Sequence, residues 1–247
     1  MRRGGRQCGR ELTDPEAVED LVAELHSRHL RAAGAVADVR SDTDLARLLE
    51  TALAAFGRVD VWLNNAGVSA GYRHLDDLSP EEVREIVDIN VTGTLLGCRL
   101  MAPYFAEHGG ILVNMAGRGW GGEATPHTAA YAATKAAVAS ITRSVAAENR
   151  GRRMSVHAFV PGMVRTDFYR DMRVSPRLAA SAGNVEFALD AFGVPLPEVG
   201  RAFVRVASQE PGRVTGKVYS ALTPGRTARG IARMMYFRAS GRMREPG

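Results

Sequence analysis

Cysteine, lysine and long apolar runs are all scarce in this chain of 247 residues. The two cysteines, Cys8 and Cys98, cannot build a disulfide framework, so small disulfide-stapled secreted domains are excluded and a reducing cytoplasm is the expected location. No run approaches the ~18 consecutive apolar residues of a membrane-spanning helix. The N-terminus begins with charged residues and has no apolar stretch behind them, so we expect no secretory signal.

Metal and nucleic-acid sites also lack support. The six histidines are scattered, and the pair His26 and His29 has no further residues at ligand spacing, so we expect no metal site. No basic groove with interleaved aromatic residues is visible, and no recognition motif, so nucleic acid is not an expected partner.

The net charge of +5 is unevenly distributed. Residues 201–247 hold nine arginines and one lysine against Glu210 and Glu245, which gives +8 there and leaves −3 for residues 1–200. Arginine accounts for 30 of the 32 basic residues, and the only lysines are Lys135 and Lys217. A lysine kept in such a composition is a candidate for a role that arginine cannot fill.

Hydrophobic spacing predicts alternating helices and strands. The predicted helices are 14–28, 43–56, 79–101 and 129–149, and the predicted strands are 32–39, 59–63, 110–115 and 155–160. Strands separated by helices of this length indicate an α/β fold with a doubly wound parallel sheet, in which ligands bind at the carboxyl ends of the strands. We expect one domain, with residues 1–200 as its body and residues 201–247 as a basic extension of it.

Tyr131 and Lys135 are the first candidates for chemistry. Their i, i+4 spacing places a phenol and an ammonium on one face of a helix. A nearby cation favours the phenolate, so the pair could exchange a proton with a substrate oxygen. A solvated helical face would give the same spacing, but here a strand and a glycine-rich loop precede the pair.

Four motifs together resemble the short-chain dehydrogenase/reductase family over roughly residues 15–170. They are Asp60-Val-Trp-Leu-Asn-Asn-Ala-Gly67, Asn90-Val-Thr-Gly93, Tyr131-x-x-x-Lys135 and Pro161-Gly-Met-Val-Arg-Thr166. Within the family, residues 114–119, Thr125-Pro126 and Leu222-Thr-Pro224 resemble the chlorophyll(ide) b reductase branch. The resemblance implies a Rossmann-like oxidoreductase that uses NAD or NADP on a small carbonyl or alcohol and forms a homodimer or homotetramer.

The resemblance also assigns roles to residues. Tyr131 would be the general acid/base, Lys135 would lower its pKa and hold the nicotinamide ribose, and Asn90 would hold a water in the proton relay. The implied cofactor contacts are Asp38, Val39, Asn65, Ala66, Gly67, Tyr131, Lys135, Pro161, Gly162, Val164 and Thr166, with Asp38 on the adenine. Each of the loop residues has an alternative role in a turn or a cap.

Two departures from the family pattern leave alternatives open. No serine lies between Met115 and Tyr131, where the family places a catalytic one, so Thr125 or Thr128 is the candidate hydroxyl. The only candidate for a glycine-rich phosphate turn, residues 4–9, has too few residues before it for a strand. We therefore expect a sheet without the first strand, first helix and most of the second strand. A noncatalytic relative that pairs with another subunit and a true chlorophyll(ide) b reductase are the alternatives.

A basic amphipathic pattern closes the chain. Residues 227–241 alternate apolar positions such as Ile231 and Met235 with arginines such as Arg229 and Arg233. Such a helix makes a peripheral contact with an anionic membrane, covers the mouth of an apolar substrate site, or packs on the body with a solvated arginine face.

Overall fold

A parallel sheet forms the centre of the computed structural model, which describes residues 14–170, 172–181 and 183–241. Its four strands lie in the order β1-β2-β3-β4. They are β1 Val61–Asn64, β2 Gly110–Met115, β3 Met154–Val160 and β4 Val218–Ser220. Every neighbouring pair is parallel, which confirms the predicted α/β class.

Helices cover this sheet and supply the connections between its strands. They are α1 Pro15–Ser27, α2 Asp42–Phe56, α3 Pro80–Val87, α4 Gly93–His108, α5 Ala129–Glu148, α6 Asp167–Arg170, α7 Gly183–Phe192, α8 Leu196–Ala207 and α9 Pro224–Ala239. A π turn, Asp88–Thr92, joins α3 to α4. In the part of the chain that the structure describes, no helix is long and apolar enough to cross a membrane.

The helix boundaries follow local capping chemistry. The Asp14 side chain accepts a hydrogen bond from the Glu16 amide, and Ser79 and Glu82 form a reciprocal capping box at the start of α3. The helical segment predicted to end near residue 101 instead continues past Pro103 to His108. Phe105, which is fully buried, gives this last part of α4 enough packing to outweigh the proline.

The predicted strand 32–39 is wrong, because the structure has no strand there. A strand requires a neighbour to complete its hydrogen bonds, and β1 pairs only with β2 among the described strands. Side chains of α2 bind this segment instead. Arg47 donates to the Val36 carbonyl at 2.9 Å, and the Asp44 carboxylate accepts from the Asp38 amide at 2.9 Å.

The core lies on both faces of the sheet, so β2 and β3 are almost wholly buried. On one face, residues of α2, α4 and α5 pack around Met101 and Phe105. On the other face, α8 and the segment after β4 pack around Phe159. Burial of both faces explains the apolar run Ile111–Val113 in β2, and it means that the polar side chains of Ser155 and His157 in β3 are buried as well.

Gly97 provides a test of this packing. It faces β1 from α4, and a Cβ atom there would overlap the side-chain amide of Asn64. We expect Gly97→Ala to lower the free energy of unfolding by about 1–3 kcal/mol, as overpacking does. The matched control is Gly200→Ala, an exposed helical position in α8 with open space around it, which we expect to stabilise by about 0.5–1 kcal/mol. Denaturant unfolding measures both, and equal effects would contradict the packing.

Candidate functional site

Tyr131 and Lys135 meet at the carboxyl end of β2, in the first turns of α5. Lys135 is only 4% exposed, and its Nζ donates to the carbonyl of Met115, the last residue of β2, at 2.9 Å. The same Nζ lies 5.4 Å from the centroid of the Tyr131 ring. The predicted pair is therefore assembled in the structure, with Lys135 buried and Tyr131 half-buried rather than on a solvated helical face.

Burial changes the protonation of both groups. It lowers the pKa of Lys135 to about 8 from its ordinary 10.5, because the charged ammonium loses its water. It also raises the pKa of the Tyr131 phenol above its ordinary value, and the neighbouring Tyr169 adds to that rise. The phenol is thus a neutral proton donor here, and the lowering of its pKa by Lys135 stays a prediction.

Asn90 holds the loop after β1 against α5. Its side chain is 1% exposed and lies in the π turn, where Oδ1 accepts from the Val68 amide at 2.8 Å. Its Nδ2 donates to the Val68 carbonyl at 2.9 Å and to the Thr134 hydroxyl at 3.0 Å. These bonds use both N–H groups of the amide and position the loop, and no contact tests the implied water-holding role, which stays a prediction.

Two glycines bring bare backbone up to these side chains. A Cβ on Gly67 would lie 3.2 Å from Asn90 Oδ1 and 3.5 Å from Lys135 Nζ. A Cβ on Gly117 would lie 2.5 Å from the Tyr131 hydroxyl. Gly67 was predicted as a site residue, whereas Gly117 was not. The sequence feature that could have indicated Gly117 is its position two residues after the end of the buried strand β2.

An aromatic cover lies over Tyr131 and was not predicted. The Phe168 ring, in α6, is 5.8 Å from the Tyr131 ring and 5.2 Å from the Tyr169 ring. The loop Pro161–Thr166, which leads from β3 into this helix, was predicted as a cofactor contact. Within it, the Thr166 hydroxyl donates to the Val164 carbonyl at 3.3 Å, and Gly162 adopts a positive φ of 80°.

Residues 172–178 are hydrogen-bonded to the loop after β1. The Tyr72 amide donates to the Arg173 carbonyl at 2.8 Å, and the Ser175 amide donates to the Tyr72 carbonyl at 3.0 Å. Arg177 adds an ion pair with Asp76 at 2.8 Å. These contacts hold residues 172–178 across the site.

A depression opens beside Tyr131. Its lining is mostly apolar, with Ala70, Leu75, Leu78, His127, Thr128 and Ala130 among its residues. The Thr128 hydroxyl donates to the Thr125 carbonyl at 3.2 Å, and Thr125 itself is buried. Of the two threonines proposed to replace the serine, Thr128 therefore faces the depression.

Asp38 and Val39 lie just before α2, at the end of the segment 32–39 that does not form the predicted strand. The Asp38 carboxylate accepts from the Arg40 guanidinium at 2.6 Å, and this hydrogen bond lowers the pKa of Asp38. Val39 is close to Gly93 at the start of α4. The candidate phosphate turn, residues 4–9, lies outside the described residues. Among the described residues, no group of His, Cys, Asp and Glu side chains could hold a metal ion.

Comparison with known proteins agrees with this geometry. Residues 8–176 match the family model of short chain dehydrogenases. The chain is 30% identical over 210 residues to 3beta-hydroxysteroid dehydrogenase 1 of Eggerthella lenta, covering 83% of this chain and 77% of that protein. It is 38% identical over 142 residues to a probable chloroplastic chlorophyll(ide) b reductase of Oryza sativa subsp. japonica, covering 56% of this chain but only 28% of that protein.

A solved structure extends the match to the fold. The 3-ketoacyl-(acyl-carrier-protein) reductase of Brucella melitensis, crystallised in complex with NADH, is 25% identical, with a TM-score of 0.71. The alignment covers 87% of this chain and 85% of that one.

Proposed function

The chain belongs to the short-chain dehydrogenase family, and we propose that it transfers hydride between NAD or NADP and a carbonyl or alcohol carbon. The observation that carries the proposal is the pair of Tyr131 and Lys135 at the carboxyl end of β2. A nicotinamide nucleotide supplies or accepts the hydride when bound, and the protein supplies the proton.

The nicotinamide end of such a nucleotide fits the site. Among the described residues, the Met115 carbonyl is the one hydrogen-bond acceptor of the Lys135 ammonium, whose other N–H groups are available to ribose hydroxyls. Gly67 and Gly117 leave space where a side chain would crowd Lys135 and Tyr131. At the adenine end the fit is poorer, because the Asp38 carboxylate already binds Arg40.

The chain's own residues then divide the work. Tyr131 gives its phenolic proton to the substrate oxygen, or takes it back in the reverse direction. Lys135 binds and orients the ribose, and Asn90 fixes the loop that carries Asn65, Ala66 and Gly67. Phe168 covers the phenol and limits the access of water. Pro161, Gly162, Val164 and Thr166 are proposed to contact the nicotinamide.

The proposed substrate is a small, largely apolar molecule with a carbonyl or alcohol group. The depression beside Tyr131 has Leu75 and Leu78 in its lining. Its Arg73 is already paired with Glu82 at 2.7 Å, so the lining favours that chemistry over a highly charged substrate. The proposal includes a homodimer or homotetramer and a cytoplasmic location, as the family resemblance and the two cysteines predict.

Nucleotide binding is the direct test. The full chain is titrated with NADH and with NADPH while nucleotide fluorescence is followed, and we expect saturable binding of at least one. Lys135→Met should weaken it by roughly tenfold, the value of one charge-assisted hydrogen bond. Lys217→Met is the matched control, since Lys217 is the other lysine and is exposed. No saturable signal with either nucleotide would favour the noncatalytic, subunit-pairing alternative.

A chlorophyll(ide) b reductase remains the second candidate. Its support is the 38% identity over 142 residues to the rice protein, together with the resemblance of residues 114–119 to that branch. Turnover of chlorophyllide b with either reduced nucleotide would establish it. Turnover of other apolar ketones with no reaction of the pigment would exclude it and leave the broader proposal standing.

Thr128 is proposed to supply the hydroxyl that the missing serine would give. We expect Thr128→Val to lower kcat by about 10–10²-fold, because a hydrogen bond to the substrate carbonyl is lost. Thr125→Val is the comparison, since Thr125 is buried behind Thr128 and should have a smaller effect on rate. Steady-state kinetics on any accepted ketone gives both values, and unchanged rates in both variants would refute the role.

A further inference from the structure

Helix α9 is attached to the body by one face only. On that face the Phe237 ring lies 4.9 Å from the Phe187 ring of α7, and Gly230 sits so close to Phe192 that a Cβ would overlap its ring. Arg226 fixes the start of the helix through an ion pair with Glu198 at 2.7 Å. The helix therefore has a fixed orientation, with its opposite face directed outward.

That outward face is an apolar stripe. Its exposed members recur at helical spacing: Ala228, Ile231, Ala232, Met235 and Ala239. Ile231 is 50% exposed and Met235, one turn later, is 67% exposed. Tyr236 stands beside the stripe and is also largely exposed. Two large apolar side chains with an adjacent tyrosine, all in solvent on one turn, are costly unless something covers them.

Arginines border the stripe, and no acidic residue lies between Pro224 and Ala239. Arg229 lies beside the stripe, whereas Arg233, two positions from both Ile231 and Met235, projects to the body-facing side of the helix. Neither makes an ion pair with a carboxylate among the described residues. Arg233 donates to the main-chain carbonyl of Asp190 at 2.9 Å, which fixes the guanidinium without neutralising it. The helix thus presents apolar surface and uncompensated positive charge together.

The apolar surface and the positive charge of α9 together indicate which kind of partner covers the stripe. A second copy of the chain, laid antiparallel and face to face on the stripe, would bring the two Arg229 side chains to the same side of the contact, and α9 has no acidic residue to pair with them. A lipid bilayer with anionic headgroups meets both requirements, because its acyl boundary accepts Ile231 and Met235 while its phosphates neutralise Arg229. Tyr236 has the amphipathic ring that favours the headgroup region.

We propose that α9 docks the protein on an anionic membrane surface, lying in the plane of the interface. The docking needs no bound nucleotide, so it stands independently of the proposed dehydrogenase activity.

The test is cosedimentation of the full chain with large unilamellar vesicles. We expect binding to phosphatidylcholine vesicles that contain phosphatidylglycerol, with affinity falling as salt is raised, and little binding to phosphatidylcholine alone. The double variant Ile231→Ser, Met235→Ser should lower the partition coefficient by roughly tenfold or more. Arg229→Gln should lower it by roughly fivefold. Leu196→Ser, on α8 at 64% exposure, is the matched control and should change nothing.

Three outcomes would overturn the proposal. The first is no binding to the anionic vesicles at low salt. The second is equal binding to both kinds of vesicle, or equal loss from the Leu196 control, since either shows that a specific charged face is not involved. The third is a wild-type dimer that the Ile231 and Met235 double variant converts to a monomer, since the stripe would then be covered by a second copy. Far-ultraviolet circular dichroism confirms that each variant keeps its helices.

Discussion

Replacing Lys135 by methionine is expected to abolish turnover and yet to raise the free energy of unfolding at neutral pH by about 2 kcal/mol. Burial lowers the pKa of this ammonium to about 8 in the folded protein, against 10.5 for the ordinary group. Below the folded pKa the group is charged in both states, so the full cost of burying the charge, about 3 kcal/mol, opposes folding. The variant removes this cost but also loses the hydrogen bond to the Met115 carbonyl, which stabilises the wild type by about 1 kcal/mol.

The pH dependence identifies the cause. As the pH rises from 8 towards 10.5, the folded protein already has a neutral amine, so the penalty fades and the advantage of the Lys135→Met variant should shrink. Denaturant unfolding at neutral pH and near pH 10 measures this difference. Lys217→Met should show no such gain. A Lys135→Met variant that is less stable than the wild type at both pH values would show that the lysine is a net structural support.

Tyr131→Phe separates chemistry from binding at the same site. The phenolic hydroxyl has no hydrogen-bond partner among the described residues, so its removal leaves no buried group unpaired. We expect kcat to fall by about 10²–10⁴-fold, the usual contribution of a general acid, with nucleotide affinity nearly unchanged. Lys135→Met should instead weaken nucleotide binding as well, so the two variants distinguish the proton donor from the ribose contact.

Much of this fold could be predicted from local patterns because its sheet is buried. The strand Gly110–Met115 and the helix around Tyr131 and Lys135 were predicted nearly at their observed bounds, since their apolar periodicity and caps are local properties. The segment 32–39 has the same kind of apolar run, but its state depends on a neighbouring strand. Because that neighbour is not among the described residues, a local pattern gave the wrong answer.

In the candidate site, too, some features could be predicted from local patterns and others depend on tertiary contacts. Motif spacing located Tyr131, Lys135, Asn90 and Gly67, which the structure brings together. Phe168 could not be found in this way, because its contact with Tyr131 depends on the path of a loop 37 residues further along the chain. The engagement of Asn90 with Val68 and Thr134 is likewise a tertiary contact. Sequence patterns therefore predict which elements exist, whereas the environment of each side chain depends on how those elements meet.

Replacing His157 by leucine is expected to make the protein more resistant to acid. His157 lies in the middle of β3 with no exposed surface, and neither ring nitrogen makes a close, well-aligned hydrogen bond. The nearby backbone of Val214 only partly offsets the effect of burial. Its ring packs against Tyr219, with 5.1 Å between the ring centroids. Burial lowers the pKa of the imidazole to about 4 from its ordinary 6.5. The neutral ring is therefore strongly favoured in the folded protein, whereas the unfolded chain takes up a proton at a much higher pH.

The difference between the folded and unfolded pKa of His157 makes the stability of the protein depend on pH. Above about pH 6.5 the imidazole is neutral in both states and has no pH-dependent effect on stability. Below that value only the unfolded chain binds a proton, so wild-type stability should fall by about 3 kcal/mol by pH 4. His157→Leu should remove this fall and also gain about 1 kcal/mol at neutral pH, because an apolar side chain replaces a buried polar ring whose nitrogens have no well-aligned hydrogen bond. Urea unfolding between pH 7 and pH 4 measures the difference, with His108→Leu, at an exposed histidine, as the control. Parallel stability curves for His157→Leu and the wild type would mean that the ring is already hydrogen-bonded to water or protonated in the folded state, and the buried neutral imidazole would have to be abandoned.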